Sequence, residues 1–236
     1  MRKLRKRKKR HGFLRVGIAL LAVFLVFVAV KNFPSDAVSS LLGGLPAGAK
    51  TATLDNGWNL ILINRENYIP EDYKFELTEL SNGQKVDSRI YPALQQMFDD
   101  ARAAGLHLFV GAGYRTAEYQ QQLLDEKTEA YENEGHSPSE ARKLAEAWVA
   151  LPGTSEHQIG IAVDINADKD YNSSDEVYNW LAENAFRYGF IKRYPSDKTS
   201  ITGVINEPWH YRYVGKEAAG EIHAQGICLE EYLGEA

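Results

Sequence analysis

The sequence predicts an α+β domain built on an antiparallel-rich sheet with flanking helices, preceded by one membrane-spanning helix. Three observations point there. Hydrophobic residues make up 44% and charged residues 25% of the 236, the balance of a folded globular chain rather than a disordered or multi-span one. Short β-branched runs alternate with capped helical stretches at uneven separations, and no Gly-rich phosphate loop follows any of them, which argues against a doubly wound parallel sheet. One unbroken apolar run, Val16 to Val30, follows a basic segment with eight Lys or Arg between Met1 and Arg10.

The net charge of −5 divides unevenly. Residues 1–30 carry nine basic and no acidic side chains, leaving 18 basic against 32 acidic in the rest, a net of −14. A basic run abutting an apolar one reads as a topology signal, because cytoplasmic flanks of membrane helices accumulate Lys and Arg. As a helix, residues 13–30 reach about 27 Å, near the lower limit for a ~30 Å hydrocarbon core. The expected organisation is a basic cytoplasmic segment (1–15), an anchor (16–30), a Ser-, Gly- and Pro-containing tether (31–50) and an extracytoplasmic domain (51–236). The competing reading is a cleaved signal peptide, for which Ala37-Val38-Ser39 offers a poor processing site. Both readings export the domain, and its acidic balance excludes a nucleic-acid partner. Cys228 is the only cysteine, so the core must hold the domain without an intramolecular disulfide.

Within the domain, Leu60 to Ile63 reads as a buried strand. Pro92 to Ala104 reads as a helix, with Pro in its first turn and Gly105 as its stop. Leu106 to Val110 follows as a strand. Thr116 caps a helix through about Glu132, Ser137-Pro138-Ser139-Glu140 starts another through Ala150, and Ser173-Ser174-Asp175-Glu176 a third through Tyr188, stopped by Gly189. Ile159 to Ile165, Phe190 to Tyr194 and Tyr211 to Val214 complete the predicted strands.

Two segments carry chemistry: Ser155-Glu156-His157-Gln158-Ile159-Gly160-Ile161-Ala162-Val163-Asp164, and Glu207-Pro208-Trp209-His210-Tyr211. Together they offer two imidazoles and two carboxylates, the parts of a catalytic zinc site with three protein ligands, an open position and a separate base. His157, Asp164 and His210 are the candidate ligands and Glu207 the candidate base. By spacing alone, a core histidine and a strand-end aspartate would look the same. Pro208 disfavours helical geometry at Glu207, so the second segment is a turn or extended piece. In a straight strand Glu207 and His210 would face opposite ways, and a turn is needed to bring them together.

The pair S-E-H-Q-x-G-x-A-x-D and E-P-W-H-Y-R-Y resembles the VanY-type zinc D-alanyl-D-alanine carboxypeptidases, including the related L,D-carboxypeptidases of bacterial cell walls. The resemblance spans about residues 58 to 217. It takes in Leu62-Ile63-Asn64-Arg65 with Pro70 and Tyr73, Val86-Asp87-Ser88-Arg89, and Gly113-Tyr114-Arg115-Thr116 with Gln120. It implies a hedgehog/DD-peptidase-like fold and one zinc ion on His157, Asp164 and His210. Glu207 would be the general acid/base and Arg115 would stabilise the developing oxyanion. Ser155 would contact the substrate. Gln120 is a further candidate contact, and Trp209 and Tyr211, flanking His210, either wall the substrate pocket or pack in the core. Thr116 stands where Ser is more usual and keeps the hydroxyl. The implied substrate is a peptidoglycan stem peptide, cleaved by D,D or alternatively L,D specificity, at the cytoplasmic membrane and without an obligate protein partner. A non-catalytic wall-binding module on the same fold is the reading from another class. It predicts a missing base or a fourth protein ligand, and the sequence has Glu207 and only three evident ligands.

Overall fold

Capped helices and short strands alternate along a computed structural model that describes residue 45 and residues 48–236. The expected basic segment and anchor, and most of the tether, lie outside the described residues. Among the described residues no helix is long and apolar enough to cross a membrane. Residues 48–236 form one compact unit.

The strands are β1 (Lys50–Thr51), β2 (Asn67–Tyr68), β3 (Leu77–Glu79), β4 (Lys85–Asp87), β5 (Leu108–Ala112), β6 (Ala162–Ala167), β7 (Phe190–Lys192) and β8 (His210–Tyr213). The helices are α1 (Tyr91–Ala103), α2 (Ala117–Asn133), α3 (Pro138–Glu146), α4 (Ser174–Asn184), α5 (Thr199–Thr202), α6 (Lys216–Gln225) and α7 (Leu229–Leu233). The predicted caps form where they were expected. Thr116 Oγ1 accepts from Tyr119 N and Ser137 Oγ from Glu140 N, while Ser173 and Glu176 close a reciprocal capping box. α3 ends four residues before the expected Ala150. α4 gives way after Asn184 to a 3-10 turn that ends at Gly189, whose φ of 90° suits a residue without Cβ.

The central sheet has four strands in the order β5-β6-β8-β7, and every pairing is antiparallel. The α+β expectation with an antiparallel-rich sheet therefore holds. Period-two alternation gives the sheet two unlike faces. Val110, Val163, Ile165 and Tyr211 point to one of them and join Leu94, Met97, Val177 and Leu181 of α1 and α4 in the main core. Asp164, His210 and Arg212 point to the other.

Two sequence expectations fail. Leu60 to Ile63 is not a strand, although Ile61, Leu62 and Ile63 are buried. Its backbone carbonyl at Ile61, with that of Asn59, accepts from the buried guanidinium of Arg212 rather than from a neighbouring strand. Ile159 to Ile161 likewise precedes β6 rather than belonging to it, because Glu156–Ile159 is a 3-10 turn closed by Gly160 at φ 71°. A Cβ at Gly160 would stand 2.8 Å from the backbone nitrogen of Asp87, so the turn needs glycine twice over.

Candidate metal and active site

Antiparallel register assembles the site. Asp164 on β6 is the direct cross-strand partner of His210 on β8, which brings a carboxylate and an imidazole from 46 residues apart side by side. The 3-10 turn before β6 supplies His157, whose ring meets that of His210 edge-on with centroids 4.8 Å apart. His157 Nδ1–H donates to Gly113 O at 2.8 Å, which leaves Nε2 without a proton and turned towards Asp164 Oδ1 at 3.3 Å. His210 turns its Nδ1 to the same oxygen at 3.0 Å. One donor atom from each of the three lies within 4.8 Å of the others.

This donor set fits zinc. Two imidazole nitrogens and one carboxylate oxygen converge, one ring is already held in the ligating tautomer, and all three residues line a groove. Arg115 Nη2 donates to the other Asp164 oxygen at 2.8 Å and so fixes the carboxylate's rotation. Burial would raise the Asp164 pKa, but the His157 and His210 imidazoles outweigh it and hold the group well below the ordinary carboxylate range.

Glu207 reaches the cluster through the turn that the sequence required. His210 N donates to Glu207 O at 3.2 Å, closing a four-residue turn with Pro208 at its second position. Glu207 Oε2 then lies 3.7 Å from His210 Nδ1. Burial, offset in part by His210, pushes Glu207 up to about 7, close to where a general base works best near neutrality.

His210 behaves in the opposite way. Burial would lower it, but the Asp164 and Glu156 carboxylates prevail and raise it to about 9 in the metal-free protein. A ligating imidazole must be neutral, so at pH 7 to 8 zinc has to displace this proton. We expect zinc binding to the metal-free protein to release about one proton at that pH. Titration calorimetry in buffers of different ionisation enthalpy measures it, and release that is near zero at pH 7.5 contradicts the raised pKa.

The groove beside the cluster has a volume of about 480 Å³. Its lining includes Ser155, Asp164, Glu207 and His210. Trp209 and Tyr194 line it too, together with Gln120, Leu123, Lys127 and Ala130 of α2 and with Trp148 and Val149. Of the expected substrate contacts, Ser155, Arg115, Gln120 and Trp209 line this groove. Gln120 Nε2 is used by Ala150 O, while its buried Oε1 has no partner. Tyr211 is a correction. Its side chain alternates with His210 along β8 and lies on the opposite sheet face within the main core, so it cannot wall the groove. Sequence reasoning missed Tyr194, which packs on the His210 ring with centroids 5.0 Å apart and whose neighbours gave no motif. It also passed over Glu156, although that residue sits between two motif positions.

Comparison with known proteins agrees with this geometry. The family described as VanY, D-alanyl-D-alanine carboxypeptidase, matches residues 83–216. A D-alanyl-D-alanine carboxypeptidase of Enterococcus faecalis is 58% identical over 187 residues, covering 79% of this chain and 70% of that protein. Among solved structures, a vancomycin-resistance D,D-pentapeptidase VanY variant in complex with Zn(II) superposes with a TM-score of 0.74 at 60% identity, covering 75% of this chain and 99% of that one. The LD-carboxypeptidase LdcB superposes with a TM-score of 0.60 at 32% identity, covering 74% of this chain and 85% of that one.

Proposed function

From the premise that the chain belongs to the VanY family of D-alanyl-D-alanine carboxypeptidases, we propose that it removes the terminal D-alanine of peptidoglycan stem peptides as a zinc carboxypeptidase. The observation that carries this reading is the convergence of His157, Asp164 and His210 beside a separate carboxylate, Glu207, all lining one open groove. A wall-binding module with a closed structural site would have neither the free base nor the opening.

When bound, zinc supplies Lewis acidity, making water easier to deprotonate and polarising the scissile carbonyl. Glu207 takes a proton from the attacking water at its carboxylate and returns it to the leaving amine of D-alanine. The hydroxyl group is thereby added to the carbonyl carbon as the C–N bond breaks. Arg115 holds Asp164 in place through one nitrogen and lines the groove, where its guanidinium stabilises negative charge developing on the carbonyl oxygen. Ser155 and Gln120 offer a hydroxyl and an unpaired amide oxygen to the substrate's backbone. D,D specificity is favoured because the D,D-pentapeptidase is the nearer match in both identity and superposition.

The reading includes an N-terminal anchor with the catalytic domain outside the cytoplasmic membrane. It is supported by the basic run followed by the apolar stretch Val16 to Val30 and by the acidic balance of the rest. One experiment covers reaction and placement: mass-spectrometric detection of D-alanine released from stem pentapeptide and tetrapeptide, by purified protein and by intact protoplasts expressing it. Release from pentapeptide that stops with chelator and returns with zinc is expected, and in protoplasts it should be lost on external protease treatment. Preference for tetrapeptide would establish the L,D alternative. Absence of release by folded, zinc-loaded protein would overturn the reaction, and protease-resistant activity confined to lysates would overturn the placement.

A further inference from the structure

Glu156 takes no part in the proton transfers above, yet it is fully buried at the centre of the site's supporting structure. Its Oε1 accepts from Arg193 Nε at 2.8 Å and from Arg212 Nη1 at 2.7 Å. Its Oε2 has no hydrogen-bond partner. Among the described residues only four buried side-chain atoms share that condition, and one of the others, His210 Nε2, lies 3.5 Å from this oxygen. The two orphans face each other, and a small approach satisfies both.

The carboxylate has no freedom to turn away. Arg212 is itself fixed by the carbonyls of Asn59, Ile61 and Tyr213. Arg193, also fully buried, spends its two terminal nitrogens on Glu230 of α7, at 2.8 and 2.6 Å. Two guanidinium groups thus occupy one oxygen of Glu156 and aim the other at a ring nitrogen. In the metal-free protein Nδ1 donates to Asp164 Oδ1; once zinc displaces that proton, an acceptor at Nε2 keeps the remaining one there and leaves Nδ1 to ligate.

We propose that Glu156 is a positioning residue for the metal site. Clamped by Arg193 and Arg212, and through Arg193 by the C-terminal helix, it holds His210 in the Nδ1-ligating tautomer and orientation. The inference rests on the zinc reading above. It assigns the two histidines opposite ligating nitrogens: His157 is oriented from Nδ1 by a backbone carbonyl and His210 from Nε2 by a carboxylate.

Glu156→Gln tests it with almost no change of shape. If the amide oxygen faces the guanidinium groups, the NH₂ faces His210 Nε2 and demands the wrong tautomer. If the amide is flipped, its NH₂ meets guanidinium donors. The folded variant, checked by circular dichroism, is expected to bind zinc 10- to 100-fold more weakly in competition with a chromophoric chelator. Unchanged affinity in a folded variant overturns the proposal. An independent readout uses the zinc-loaded wild-type protein, so it does not depend on whether the variant folds. Long-range ¹H–¹⁵N correlation spectra should show His210 protonated at Nε2 and metal-shifted at Nδ1, and the reverse assignment overturns the proposal. Failure of the enzymatic reading is separable: wild-type protein would then bind zinc with the expected tautomer yet release no D-alanine.

Discussion

Glu207→Gln is expected to lower turnover by about 10² to 10⁴, the usual contribution of a positioned general acid/base, while zinc content stays at the wild-type level. The amide keeps the size of the carboxylate and cannot shuttle the proton. The variant also carries a stability signature. The fold raises Glu207 from 4.5 to about 7, so it favours the protonated form, and wild-type stability falls as the pH climbs from 4.5 through 7. Glutamine stays neutral. The zinc-free variant should therefore be more stable than zinc-free wild-type protein above pH 7, by up to about 3 kcal/mol, with the gap closing towards pH 4. Denaturant titrations at pH 5 and 8 beside a turnover assay check both parts. Full activity would remove Glu207 as the base, and equal stability at pH 8 would show that its carboxyl is not held up by burial.

His210→Ala should abolish both turnover and zinc retention, which separates a ligand from a base. Sharing the ~10–16 kcal/mol typical of a four-ligand zinc site gives about 3 kcal/mol per ligand, or roughly 100-fold in affinity. Dialysis against a chelator followed by metal analysis reads the loss. Retention of stoichiometric zinc by a folded His210→Ala protein would remove it from the ligand set.

Much of the fold was legible because its signals are local. Thr116, Ser137 and Ser173 each announce a helix by the side chain that caps it, and the β-branched run around Val163 announces the strand that carries Asp164. The errors occur where distant chain segments decide. Leu60 to Ile63 has a strand's apolar pattern, but its Ile61 carbonyl accepts from Arg212, 151 residues on, and a charged residue is not expected in a core. The candidate ligands were recognisable by residue type, whereas their meeting depends on the register that pairs Asp164 with His210, which no local pattern encodes. The placement of Tyr211 was within reach: along H-Y-R-Y, strict alternation already sends it away from His210. The buried pair of Arg193 and Glu230 was not, since each looks like a surface charge when read alone.

Part of the groove's lining is separate in the chain from the residues that carry its chemistry. It comes from one uninterrupted stretch, α2 through Ala150, that contributes none of the candidate metal ligands and is fastened at its ends by the Thr116 cap and the Gln120 to Ala150 hydrogen bond. Substitutions along this helical pair alter what the groove presents to a peptide while His157, Asp164, Glu207 and His210 keep their own elements, so recognition and hydrolysis are free to vary independently.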